Sequence, residues 1–336
     1  MSLSYAKPRV VVVATGGTIA GQAADRVETG AYQSAVLSVD AMLAALPELS
    51  DLAALRGIQL FQLDSADLQN AQVLQLAREL QNLLSQDDVD GLVIAHGTDT
   101  LEETAYLLHV GLRTSKPVVL TGALRPASAL SADGPMNLYG AVAVAADPAA
   151  AGMGVLVVMN EEIHTARDVC KRSSGKLEAF HSPYGPLGLL AGGRARFYRA
   201  PCRLHTADSE FDLTRVTELP EVDVLYLYMG IKPERLWSGP IWQSPPRALV
   251  VAGFGNGNIP TGLRAGLRAA VAAGVMIIRS SRSGSGVLLR NGAAQDDAEG
   301  WVVADDQPPQ KARALTALAL ASGCDAAALQ DLFRRY

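Results

Sequence analysis

Cysteine is scarce in this chain: three in 336 residues. Cys170, Cys202 and Cys324 are odd in number and far apart, which fits neither a disulfide framework nor a zinc site. The five histidines, His96, His109, His164, His181 and His205, show no metal-ligand spacing such as His-Glu-x-x-His. Each reads as a surface or structural residue, and no metal is expected. No apolar run approaches the length of a membrane span, so no membrane partner is expected. Basic residues do not predominate. Twenty-nine Lys and Arg against 34 Asp and Glu leave a net charge of −5, which gives no reason to expect a nucleic-acid partner. One basic stretch, Arg194, Arg196, Arg199 and Arg203 with Phe197 and Tyr198 between, reads as a solvated linker face. Met1 to Arg9 holds no long apolar segment with a small-residue cleavage site. The default is cytoplasm, although a chain with its leader trimmed would look the same.

The hydrophobic share of 49% marks a folded chain, and 336 residues suffice for two domains with sizeable cores. Near the start, Val10-Val11-Val12-Val13-Ala14 reads as a strand buried on both faces. It runs into Thr15-Gly16-Gly17-Thr18. The two glycines permit a sharp turn and a close approach of ligand to backbone. Thr18 then stands past the carboxyl end of a first parallel strand, where open α/β sheets bind ligands. A hydroxyl there is either a nucleophile or part of a ligand cradle. Gly16-Gly17 is not Gly-x-Gly-x-x-Gly, and no Gly-Lys-Ser/Thr follows, which speaks against a nucleotide site.

The alternation continues. Gln22 to Val36 is small and polar without period, a mobile loop and candidate lid, with Tyr32 its only aromatic residue. Ser38 to Leu46 reads as a short helix. Ile58 to Leu63 reads as a strand followed by Asp64-Ser65-Ala66-Asp67, where Ser65 is a candidate cap for a helix reaching Leu84. Gly91 to Ala95 is a strand opening onto His96-Gly97-Thr98-Asp99-Thr100 and a helix to Leu112. Pro117 to Leu120 is a strand leading to Thr121-Gly122-Ala123, and a helix spans Met136 to Ala146. Val155 to Met159 is a strand, and Glu161 to Lys171 an extended polar stretch. Such units argue an α/β fold with a parallel sheet and helices on both faces, so Thr18, Ser65, Thr98, Asp99 and Ala123 fall on one edge. The expected organisation is a domain over 1–200, a linker over 201–221 and a smaller α/β domain over 222–336. In the latter, Val222 to Met229, Ala248 to Ala252 and Val275 to Arg279 read as strands. Helices follow at 260–273, 309–322 and 325–335.

Three segments carry a resemblance: Thr15-Gly16-Gly17-Thr18-Ile19-Ala20-Gly21, His96-Gly97-Thr98-Asp99-Thr100-Leu101-Glu102-Glu103-Thr104-Ala105, and Ser131-Ala132-Asp133-Gly134-Pro135-Met136-Asn137-Leu138. The chain resembles the bacterial-type L-asparaginases. Gly255-Asn256-Gly257-Asn258 and Pro309-Gln310-Lys311-Ala312-Arg313 extend the likeness over essentially its whole length. The resemblance implies hydrolysis of L-asparagine to L-aspartate and ammonia without metal or cofactor. It also implies a large N-terminal α/β domain with a left-handed crossover, a smaller C-terminal α/β domain, and a tetramer or dimer with sites between subunits. It implies Thr18 as primary nucleophile aided by Tyr32, and a second cluster of Thr98, Asp99 and Lys171. Ser65 would contact the substrate α-carboxylate and Asp99 its α-ammonium. The Ala123 carbonyl would bind the amide nitrogen, and Asn258 would reach a neighbouring subunit's site.

Elementary chemistry sets conditions on those roles. A threonine hydroxyl needs a base or relay to act as nucleophile. A lysine serves only with a lowered pKa. Backbone N–H groups at Gly17 and Thr98 would cradle an oxyanion, each worth roughly 3 kcal/mol. Two departures from the family pattern stand out. Ala66 follows the serine where many extracytoplasmic members have glutamine. The stretch 286–296 also lacks the glutamate many members carry. The second departure bears on the choice between asparagine and glutamine, which differ by one methylene, worth about 1–3 kcal/mol. Open alternatives are a dual glutaminase–asparaginase and a non-catalytic amino-acid-binding protein.

Overall fold

The computed structural model describes residues 6–27, 29–233 and 244–336. Residues 1–5, where a leader was sought, and Glu28 of the 22–36 loop lie outside them. The chain divides into two compact units, Met1–Arg215 and Val216–Tyr336.

The first unit is built on strands β1 (Arg9–Gly16), β2 (Ala54–Leu63), β3 (Gly91–Ala95), β4 (Val118–Thr121), β5 (Val155–Met159) and β6 (Glu162–Thr165). A small separate pair, β7 (Cys170–Lys171) and β8 (Phe180–His181), follows. Then β9 (Gly188–Ala191) and β10 (Arg194–Phe197) return to the main sheet. Its eight strands run in the order β10-β9-β6-β5-β4-β3-β1-β2. The half from β2 to β5 is parallel; β6, β9 and β10 are antiparallel. The β-branched run explains the place of β1. Val10 to Val13 are buried on both faces between β2 and β3, where branched side chains fit a pleated, covered surface.

Helices α1 (Val39–Ala44), α2 (Leu49–Leu52), α3 (Asn70–Leu84), α4 (Leu101–Gly111) and α5 (Gly134–Ala145) complete the unit. In α3, Val73, Leu76, Ala77, Leu80 and Leu84 fall on one buried stripe at helical spacing.

Two readings change here, and the reading of the histidines as surface or structural is narrowed. Glu161 to Lys171 is not simply a polar stretch: Ile163, His164 and Thr165 of β6 are buried beside β5. The basic stretch is only partly linker. Arg194 and Arg196 project outward from edge strand β10 while Ala195 and Phe197 turn inward, a charge pattern that protects an open sheet edge. Four of the five histidines are buried, and only His181 is exposed.

The second unit is a four-stranded parallel sheet, β11 (Val222–Tyr226), β12 (Ala248–Gly253), β13 (Met276–Ser281) and β14 (Val302–Val303), in that order. Strand β11 stops short of the expected Met229, which is 93% exposed and beyond the apolar alternation. Helices α6 (Thr261–Ala272), α7 (Asp296–Glu299), α8 (Pro309–Ala321) and α9 (Ala326–Arg335) cover the sheet. Among the apolar residues of its core, Arg279 on β13 is fully buried. It meets Asp296 through two bonds of 2.7 Å. Arg279 also donates to the carbonyls of Asn256 and Leu289, at 2.6 and 2.9 Å. One buried charge pair thereby pins two loops.

Candidate active site

The carboxyl ends of β1, β3 and β4 meet through small residues. Gly16 and Gly17 have φ of +111° and +82°, a region side chains avoid. A Cβ at Gly16 would stand 2.3 Å from the Leu63 carbonyl oxygen, and one at Gly17 would stand 2.2 Å from Gly97 Cα. The two turns touch backbone to backbone, which only glycine allows. On the next strand, a Cβ at Gly122 would meet Thr98 Cγ2 at 3.0 Å. Gly134, the first residue of α5, packs against both Ile19 and Ala123.

Thr18 opens a single turn of 3-10 helix, Thr18–Ala20. Its hydroxyl is 2.6 Å from the Tyr32 phenol, and either oxygen can donate. The loop that carries Tyr32 is tied at its base. Gln22 and Gln33 exchange backbone hydrogen bonds of 2.9 Å, and Ala35, Val36 and Leu37 donate to the carbonyls of Gly17 and Ala20. The Tyr32 ring lies over Gly21, where a Cβ would approach Cδ2 to 3.0 Å.

The second group gathers on Lys171. Its Nζ donates to Thr98 Oγ1 at 2.8 Å and to Asp99 Oδ1 at 2.5 Å. Its backbone N–H donates to Glu102 Oε2 at 2.5 Å, so a buried carboxylate of α4 fixes where the lysine starts. Asp99 is therefore more than a helix cap: Thr100 occupies the N-cap position of α4. Ser65 does not cap α3, whose first turn is closed by a reciprocal pair of Gln69 and Gln72. Asp64 caps the short turn at Ser65, and the buried Ser65 hydroxyl instead accepts from the Asp99 N–H at 3.2 Å. The Ser65 carbonyl accepts from the Thr100 hydroxyl at 2.9 Å, joining the β2 and β3 edges.

One of the two N–H groups expected to face an oxyanion, that of Gly17, is engaged elsewhere. The Gly17 N–H donates to the Leu63 carbonyl at 3.0 Å and is engaged in the sheet edge. The N–H groups of Thr18 and Thr98 have no acceptor among the described residues. Sequence reasoning placed Gly17 there because a glycine turn suggests a cradle. The register jump that ties Gly16 to Leu63 is not visible from the chain alone.

Several contributors were missed. Asp133 accepts from the N–H groups of Leu124 and Arg125. Asn137 donates to the Gly122 carbonyl at 3.0 Å and accepts from the Asn160 N–H at 2.9 Å. The third motif thus clamps the turn that presents the buried Ala123. Its signal was two polar residues four apart at the head of an apolar helix. Glu102 gave a similar signal, a carboxylate on a helix whose other faces are apolar. Asn258 belongs to the second unit. There it is exposed at the end of a loop closed by Phe254–Asn258 hydrogen bonds of 2.7 and 3.0 Å. Among the described residues no group of His, Cys, Asp and Glu side chains is placed to hold a metal.

Such an arrangement defines an α/β protein that brings hydroxyls, an amine and a carboxylate to one end of a parallel sheet. The model of the asparaginase N-terminal domain matches residues 9–203, and that of the glutaminase/asparaginase C-terminal domain matches 221–333. A glutaminase-asparaginase of Pseudomonas aeruginosa is 44% identical over 328 residues, 97% of this chain and 90% of that protein. L-asparaginase 2 of Escherichia coli is 39% identical, over 99% of this chain and 94% of its own. The crystal structure of a probable cytoplasmic L-asparaginase from Campylobacter jejuni superposes with a TM-score of 0.94. It is 37% identical and covers 98% of this chain and 100% of its own. The chain belongs to the asparaginase family of amidohydrolases.

Proposed function

We propose that the protein hydrolyses the side-chain amide of L-asparagine to L-aspartate and ammonia through an ester on Thr18. The observation that carries this reading is the pair of hydroxyl contacts at the sheet edge: Thr18 with Tyr32 at 2.6 Å, and Thr98 with Lys171 at 2.8 Å. The Thr18 hydroxyl attacks the amide carbon while its proton is relayed through the Tyr32 phenol, which passes its own proton on to solvent as it accepts. The tetrahedral oxygen is held by the N–H groups of Thr18 and Thr98, a preorganised pair of donors. Ammonia leaves with a proton passed through Thr98 from Lys171, and water then cleaves the ester along the reverse path. Asp99 holds the substrate ammonium, Ser65 contacts the α-carboxylate, and the Ala123 carbonyl accepts from the amide nitrogen. Asn258 contributes to the site of a second subunit, which requires at least a homodimer; a homotetramer is the form expected.

Coupled detection of ammonia with L-asparagine and L-glutamine tests the reading, on wild type and on Thr18→Ala. Wild type should release ammonia and the variant should not. Glutamine enters as a second substrate because two relatives at 44% identity are named glutaminase-asparaginase. Light scattering of the purified protein checks the assembly, with a monomer contradicting a shared site. Residence in the cytoplasm agrees with the name of the Campylobacter jejuni relative. The Haemophilus influenzae relative is named probable periplasmic, so cell fractionation is the check.

A further inference from the structure

His96 is 1% exposed and sits at the end of β3, directly before Gly97 and Thr98. Its Nδ1 is 2.7 Å from the carbonyl oxygen of Gly97. A carbonyl oxygen only accepts, so Nδ1 carries the hydrogen and Nε2 the lone pair. Nε2 is buried and has no hydrogen-bond partner among the described residues. The ring is therefore a neutral single tautomer with one polar contact, and burial holds its pKa down to about 4.

That contact falls on a particular peptide. The Gly97 carbonyl and the Thr98 N–H belong to the same trans unit, so they point in opposite directions. Fixing the carbonyl toward His96 fixes the Thr98 N–H away from it. The rest of the peptide is boxed in: the Gly17 turn packs on Gly97, and a Cβ at Gly97 would strike Ser65 Oγ at 2.5 Å. The Asp99 N–H, one residue on, is held by the same Ser65 hydroxyl. The Thr98 N–H has no acceptor among the described residues although its residue is buried.

We propose that His96 is a positioning residue for amide hydrolysis, whose Nδ1–H donated to the Gly97 carbonyl orients the Thr98 N–H to receive the oxyanion. The proposal rests on the asparaginase reading given above. It explains why a buried imidazole with an unsatisfied Nε2 stands at this turn. The ring holds the peptide in the orientation the tetrahedral intermediate needs, rather than one adopted after substrate arrives.

The test compares His96→Leu and His96→Ala, which remove the donor, with His96→Asn, whose amide nitrogen sits where Nδ1 does. Ammonia release from L-asparagine is measured for kcat and KM, with thermal melting and L-aspartate affinity alongside. The donor-free variants should lose about 10- to 100-fold in kcat, a fraction of the loss typical when an oxyanion donor is deleted. KM and L-aspartate affinity should stay within about threefold, because neither ground state carries the oxyanion. Affinity for the aldehyde isostere of the substrate, which forms a tetrahedral adduct, should fall in step with kcat. His96→Asn should recover at least tenfold of the loss. If Leu does not fold, Ala carries the comparison. Donor-free variants with kcat within threefold of wild type overturn the proposal. So does an Asn variant as impaired as Leu or Ala, or a kcat loss matched by KM and melting temperature. A wild-type protein that releases no ammonia would sink the asparaginase reading itself, and with it this one.

Discussion

At the scale of single residues, the site depends on places where nothing larger fits. Gly17→Ala puts a Cβ 2.2 Å from Gly97 Cα at a φ of +82°. It should destabilise by more than about 1 kcal/mol and abolish ammonia release, since the Thr18 and Thr98 turns are pushed apart. Urea denaturation and the ammonia assay read the two effects. Lys171→Met breaks the contacts to Thr98 and Asp99 but keeps the backbone bond to Glu102. Its kcat should fall at least about 100-fold, the lower end for loss of a general acid–base group, with folding little changed. A variant that turns over within tenfold of wild type would remove lysine from the proton path.

The glycines and the hydroxyls of Thr18 and Thr98 were legible in the sequence, because their meaning is local. A glycine pair after a buried run announces a turn wherever it occurs. Ser65 was legible as a polar residue at a strand end, but its partner was not. Capping a following helix and tying the Asp99 N–H look alike from the chain. Glu102, Asn137 and His96 were missed as contributors for the same reason. Their partners, Lys171, Gly122, Asn160 and the Gly97 peptide, are set by packing and register that no short window holds.

Among elements, the second unit offers a contrast between two ion pairs. Arg279 and Asp296 are fully buried, and the pair fastens the loop ending at Asn258 to the 289–291 turn. Asp296→Asn leaves Arg279 charged in the core and should cost about 3–5 kcal/mol. Arg9 and Asp90 in the first unit are 47% and 42% exposed, and Asp90→Asn should cost no more than about 1 kcal/mol. Chemical denaturation of both variants checks the ranking, and equal losses would contradict it. Strands β1, β3, β4 and β5 were readable because both faces are apolar; edge strand β2, half-exposed, was read only from Ile58 although it begins at Ala54. Strands β6 and β10 were not, because each has polar residues on an edge or turned toward a partner outside the local window.

For the whole molecule, buried histidines set the response to acid. Burial lowers His96 from the ordinary 6.5 to about 4, and it lowers His205 against the opposing pull of Asp208. The unfolded chain takes up these protons near 6.5, whereas native His96 does so only near 4. The folded value is the lower one, so its contribution is complete above pH 6.5 and is lost as pH falls from 6.5 toward 4. The loss for His96 is about 3 kcal/mol. Asp90, held near 2 by Arg9, adds a smaller loss below its ordinary 3.8. Urea midpoints between pH 7.5 and 4.5, at one protein concentration because assembly contributes, should fall steadily below 6.5. They should fall less steeply in His96→Asn. A flat profile for wild type would mean that His96 is solvated or already protonated in the native state.

The chemistry turns on which hydroxyl becomes acylated. Rapid acid quench of enzyme turning over L-asparagine, followed by proteolysis and mass mapping, locates the aspartyl ester directly. The expected adduct lies on Thr18, in the peptide beginning at Val10, and is missing from Thr18→Val. An ester on Thr98, or undiminished ammonia release by Thr18→Val, would contradict it.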